Sequence, residues 1–235
     1  MKDFSQKVKK LLQKYGNQKI TGIRIGRTTI SPMIEKAFNI ISLGKWDKLR
    51  KQYYYDKLFH LFLIITLDDG TVLSLEKNEV IQLNANDSRC SMKDVECKEI
   101  EYPVNSLTLN QLIKEPLERI GKTDYFVYDG FKANCQMYIR AVLQTFNLYN
   151  SNVNEFVYQD ITKIIRKLPW YVKWGAKKVT DLGSKFTSIK GGNCGCSECM
   201  SGGCDSCGKC PKKKNLSDIS SFVIDMFNDI DSNLL

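Results

Sequence analysis

A single histidine, His60, stands among the 235 residues, so any imidazole chemistry in this chain has one candidate. Long apolar runs are missing as well. The longest, Leu61 to Ile65, falls far short of the roughly 20 residues that a membrane-spanning helix needs, and no transmembrane helix is expected. Met1-Lys2-Asp3-Phe4-Ser5 alternates charge with apolar residues and shows no apolar stretch before a small-residue cleavage site, unlike a secretory signal. No internal repeat and no nucleic-acid-binding motif is visible. These absences make an intracellular, thiol-reducing setting the expectation.

What is present suffices for one sizeable core: 43% of residues are hydrophobic and 11% aromatic, which excludes a wholly disordered chain. The net charge of +9 is uneven, because Asp218, Asp225, Asp229 and Asp231 give the last 21 residues −4 and leave +13 on residues 1–214. A basic body implies an anionic partner: nucleic acid, a membrane surface or an acidic protein.

The spacing of Phe4, Val8, Leu11 and Leu12 predicts an amphipathic helix over 4–14, and residues 20–30 alternate as a strand. Pro32 opens a helix through Ile41, and a basic, aromatic segment follows over 45–57. Phe59 to Leu67 is apolar and β-prone, as expected of a strand buried on both faces in mid-sheet. Asp68-Asp69-Gly70 then reads as a three-residue hairpin loop with Gly70 at the positive-φ position. That register pairs Leu67 with Thr71, sets His60 opposite Asn78, and puts His60, Glu76 and Asn78 on one face. Residues 84–98, with Cys90 and Cys97 as ordinary thiols, read as a polar loop. A helix is expected over 107–120, a short strand over 125–128, a turn at Asp129-Gly130, and helix again over 151–168. From Cys135, apolar or small residues recur at 138, 139, 142, 143 and 146, predicting a helix that begins after Asn134.

A thiol attacks a carbonyl as thiolate, which the unpaired N–H groups and dipole of a helix N-terminus favour, and an imidazole takes and returns the proton. Asn134 is a suitable N-cap and sets Cys135 at that positive end. His60 is the available base, with Glu76 first and Asn78 second to fix its tautomer. Equally, a free Cys on an amphipathic helix is commonly a small core residue, and spacing alone leaves both readings open.

These residues resemble the circularly permuted branch of the NlpC-type papain-fold superfamily, which includes lecithin:retinol acyltransferase-like enzymes, YiiX-like bacterial proteins and proteins of large DNA viruses. The resemblance covers roughly residues 18–150. It rests on Phe59-His60-Leu61-Phe62-Leu63-Ile64-Ile65, on Leu75-Glu76-Lys77-Asn78-Glu79-Val80, and on Asn134-Cys135-Gln136, in the permuted order. Tyr55-Asp56-Lys57 and the Glu-Lys-Asn-Glu string look most like the viral members, which would place the protein in host cytoplasm or virion. The resemblance implies an α+β, papain-like antiparallel sheet packed on the nucleophile helix. It further implies Cys135 as nucleophile, His60 as general base and acid, Glu76 as the orienting residue, and first-turn N–H groups near Cys135 and Gln136 as the oxyanion hole. Lecithin:retinol acyltransferase-like proteins commonly carry a second His in the third position, where this chain has Glu76.

Residues 169–190 combine an apolar stripe, Trp170, Tyr171 and Trp174, and much lysine. Between 163 and 190 lie eight Lys/Arg and one acid, Asp181. Such a helix suits an anionic bilayer interface, or docks on the catalytic domain with its lysines solvated. Six of the nine Cys follow within 17 residues: Cys194, Cys196, Cys199, Cys204, Cys207 and Cys210. Thiolates so spaced, with glycines between, can wrap a soft cation such as zinc; disulfides, or a flexible tail of no fixed structure, are the alternatives. The expected organisation is a papain-like domain over 1–150, a basic amphipathic helical region over 151–190, a Cys-rich metal-prone segment over 191–214 and an acidic helix over 215–235. The expected function is a cysteine-dependent hydrolase or acyltransferase acting on an amide or lipid ester, needing no catalytic cofactor. A non-catalytic viral structural protein or membrane- or partner-binding adaptor retaining the fold is the alternative.

Overall fold

The computed structural model describes residues 3–30, 32–55, 57–104, 106–128, 133–169 and 172. The expectations for the Asp129-Gly130 turn, for the basic helix over 169–190 apart from its first residues, and for the Cys-rich and acidic segments lie outside them. The chain divides into one unit of residues 1–30 and 49–167 and a second of residues 31–48 and 168–235. No described helix is long and apolar enough to cross a membrane.

The first unit is α+β. Five antiparallel strands, β1 (Ile20–Thr29), β2 (Phe59–Leu67), β3 (Val72–Lys77), β4 (Ile81–Ala85) and β5 (Val95–Glu99), form one sheet in the order β4-β3-β2-β1-β5. The central place falls to β2, whose side chains are nearly all apolar; Leu61 through Ile65 are at most 1% exposed. A strand with neighbours on both edges and packing on both faces has no use for alternation. The β2–β3 hairpin takes the expected register, with Thr66 opposite Val72 and Phe62 opposite Glu76. Gly70 has φ +81°, Leu67 N–H donates to Thr71 O, and Gly70 N–H donates to Leu67 O.

Helices cover the face of the sheet that carries Leu61, Leu63, Ile65, Leu73 and Leu75. Helix α1 (Gln6–Tyr15) starts at Ser5, whose hydroxyl accepts from Val8 N–H, and buries Val8 and Leu12. In the second unit, α2 (Pro32–Ile41) is followed by the start of α3 (Lys45–Gln52), whose residues from Leu49 on are counted with the first; the Phe38 and Trp46 rings lie 4.9 Å apart, tilted by 36°. Helix α4 (Leu109–Ile120) begins with a capping box between Thr108 and Gln111. Helix α6 (Cys135–Thr145) lies along β2 and β3 and buries Tyr138, Ile139, Val142 and Leu143. Each of its aliphatic side chains contributes about 1.5–3 kcal/mol through burial.

Three local expectations are corrected. Residues 125–128 are not a strand: Lys122–Phe126 forms the short helix α5, with Tyr125 and Phe126 both buried and edge-to-face on Phe4. Residues 84–98 are not all loop. They include the end of β4, a 3-10 turn at Arg89–Ser91, and most of the edge strand β5, which pairs with β1. Cys90 and Cys97 are joined in a disulfide instead of standing as free thiols. Beyond residue 150 the chain forms α7 (Ser151–Val157) and α8 (Thr162–Lys167), and Val153 and Val157 enter the same core as the sheet.

Candidate active site

Cys135 opens α6. Asn134 has extended backbone, and its side-chain oxygen accepts from Met137 N–H at 3.1 Å, so the helix begins at the cysteine. This leaves first-turn N–H groups free of intrahelical partners beside the sulfur. Among the described residues Cys135 is the one free cysteine, and it is 7% exposed. Backbone hydrogen bonds from Leu61 and Gln136 reach its sulfur.

His60 lies one residue into β2, and its side chain hydrogen-bonds Cys135. Its Nε2 is 2.8 Å from Glu76 Oε2, which leaves Nδ1 as the nitrogen for the sulfur. Glu76 comes from β3, on the face that the hairpin register gives it. The sequence therefore brought together Cys135, His60 and Glu76, from a helix tip and two strands.

The electrostatics follow from the contacts. Burial opposes charge on the thiol, but the His60 charge and hydrogen bond, with the Leu61 and Gln136 N–H groups, outweigh it and lower the Cys135 pKa. Burial likewise opposes protonation of His60; the Cys135 sulfur, then Glu76, raise it to about 10. Burial of Glu76 is overcome by His60 and then by Arg89, which hold its carboxyl down at about 2. The contacts thus favour the charged forms of all three groups, thiolate, imidazolium and carboxylate, and a thiolate is the nucleophilic form of the cysteine.

No protein-family model, curated protein or solved structure matches this chain.

Asn78 lies just past the end of β3, on the His60 side by register; its backbone N–H donates to Val80 O, and the imidazole Nε2 is taken by Glu76. The side chain of Gln136 faces a different task. Its Oε1 accepts from Gln159 N–H at 3.1 Å, and its Nε2 lies 3.4 Å from Gln159 Oε1. That same Gln159 oxygen accepts from Phe59 N–H at 2.9 Å, while Gln159 Nε2 donates to Lys57 O at 2.8 Å. Gln159 thus ties the second residue of α6 to the residues just before His60. Nothing local in the sequence marks it.

Arg89 was also missed. Its Nη1 and Nη2 donate to Glu76 Oε2 and Oε1 at 3.1 and 3.3 Å, and its Nε donates to Asp87 Oδ2 at 2.8 Å. Among the described residues no cluster of three or more His, Cys, Asp or Glu side chains is arranged to hold a metal. The six cysteines from Cys194 to Cys210 lie outside those residues.

Proposed function

We propose that the chain is a cysteine-dependent hydrolase or acyltransferase acting on an amide or ester carbonyl. The supporting observation is the hydrogen-bonded line from Cys135 through His60 to Glu76 at the N-terminus of α6. The resemblance to permuted NlpC-type papain-fold proteins, with His, acid and Cys in that chain order, points the same way, as does a sheet packed against the cysteine helix.

In this reading the Cys135 thiolate attacks the carbonyl carbon, and the developing oxyanion is met by first-turn N–H groups of α6. His60, already an imidazolium, gives its proton to the leaving amine or alcohol, leaving a thioester on Cys135. The neutral imidazole then removes a proton from water or an acceptor hydroxyl or amine as that group attacks the thioester; the C–S bond breaks to release the Cys135 thiolate, and His60 keeps the proton, which restores the starting ion pair. Glu76 keeps Nε2 protonated and the ring in plane with the sulfur. Substrates presented at an anionic membrane surface would suit the lysine-rich segment over 169–190.

The test is iodoacetamide labelling with peptide mapping across pH. Cys135 should alkylate well below the ordinary thiol titration range, and His60→Ala should slow it by about tenfold or more at neutral pH. A Cys135 that reacts no faster than the same residue in the denatured chain would leave a scaffold that holds partners without chemistry.

A further inference from the structure

The paired residues Gln82, Glu76, Phe62, Gly26 and Cys97 form one row across all five strands, β4 to β5. Directly paired residues share a face, so the row is a track from the sheet edge to the acid of the proposed triad. Three strand spacings, roughly 14 Å in all, separate Cys97 from Glu76. The distance is bridged from above. The disulfide from Cys97 holds Cys90, in the 3-10 turn whose first residue is Arg89. The Arg89 guanidinium lies 3.8 Å over the Phe62 ring and meets both carboxylate oxygens of Glu76. The ring can lie low enough because Gly26 has no β-carbon; one built there would overlap Phe62. Asp87 holds Arg89 from behind, through Nε and through the Arg89 N–H.

We propose that Arg89 is a positioning residue for the Cys135–His60–Glu76 line, kept on Glu76 by the Cys90–Cys97 disulfide. The proposal rests on the reading of Cys135 as nucleophile. A carboxylate held by a two-pronged guanidinium cannot rotate away from the imidazole, so His60 stays aimed at the sulfur. Among the described residues, the charged groups on this line are Arg89 and Asp87 from the turn region, Glu76 from β3, His60 from β2 and Cys135 from α6. The level positions on β1 and β4, Gly26 and Gln82, are uncharged. Because the brace ends in a disulfide, the thiol's reactivity should depend on the oxidation state of two cysteines outside the Cys135–His60–Glu76 line.

The experiment is the pH profile of Cys135 alkylation in the full chain, with thermal melting of each sample. Wild type, Arg89→Met, Arg89→Lys, Asp87→Asn and the double variant Cys90→Ser/Cys97→Ser are compared. Arg89→Met should move the acid limb up by about one pH unit, which slows alkylation about tenfold below that limb. Arg89→Lys, which keeps charge without the fork, should fall between the two, and Asp87→Asn and the disulfide-free variant should show smaller shifts in the same direction. A merely structural Arg89 would lower the melting temperature and leave the limb in place, overturning the proposal. Should Arg89→Met fail to fold, unchanged profiles in Arg89→Lys and Asp87→Asn would overturn it as well. A shifted Arg89→Met beside an unshifted disulfide-free variant would overturn the brace. Failure of the underlying reading is distinct: wild-type Cys135 would then show no enhanced reactivity at all.

Discussion

Glu76 is 7% exposed yet ionised, and this is tolerable because it is shared between the His60 ring and the Arg89 fork. A buried carboxylate so paired stabilises the fold only while charged. Its carboxyl is held at about 2 in the folded chain against an ordinary value of 4.5. Because the folded value is the lower one, the stabilisation is fully present above about pH 4.5 and is lost as pH falls through about 2. Glu76→Gln should therefore lose about 3 kcal/mol at pH 7, and its unfolding free energy should converge on that of wild type as pH falls toward 2. Chemical denaturation at a series of pH values checks this; a gap of constant size would mean that Glu76 acts by shape alone.

At the level of elements, the site is a meeting of a helix tip with the start of a strand, and Gln159 sets their separation. Gln159→Ala removes the hydrogen bonds to Phe59 N–H, Lys57 O and Gln136 Nε2 together. It should cost about 1–3 kcal/mol in thermal or chemical unfolding. It should also slow Cys135 alkylation several-fold; unchanged alkylation beside lowered stability would confine Gln159 to the scaffold. The elements also show what a sequence reveals. The continuous apolar run of β2 and the Gly70 loop made the hairpin register readable, and with it the approach of Glu76 to His60. The Asn134 cap and the apolar spacing after Cys135 did the same for α6. Strand β5 was hidden because an edge strand, Val95-Glu96-Cys97-Lys98-Glu99, needs no apolar alternation to pair on one side. Tyr125 and Phe126 suggested a strand by propensity, but core packing against Phe4 decided for helix. Gln159 and Arg89 were illegible because each acts through partners brought near by the tertiary fold, and no periodicity records such partners; the Cys90–Cys97 pair, seven residues apart, was hidden by the expectation of a thiol-reducing setting.

For the whole molecule, the charge asymmetry bears on where the proposed chemistry takes place. Residues 1–214 carry +13, with eight of the cations between 163 and 190. Substitution of Lys173, Lys177, Lys178 and Lys185 by Gln should weaken co-sedimentation with vesicles rich in anionic lipid by about tenfold or more at low ionic strength. Equal binding by wild type and variant would remove that segment from the account. The proposed reaction depends on one pairing, and the scarcity of histidine makes it directly observable. With His60 the only imidazole in the chain, the proton NMR signal of its ring needs no assignment beyond its presence. Titration of that signal in wild type and in Cys135→Ser is the most direct test. The imidazolium should persist to about pH 10 in wild type and titrate well below that once the sulfur is removed. An ordinary midpoint near 6.5 that is the same in both proteins would contradict it.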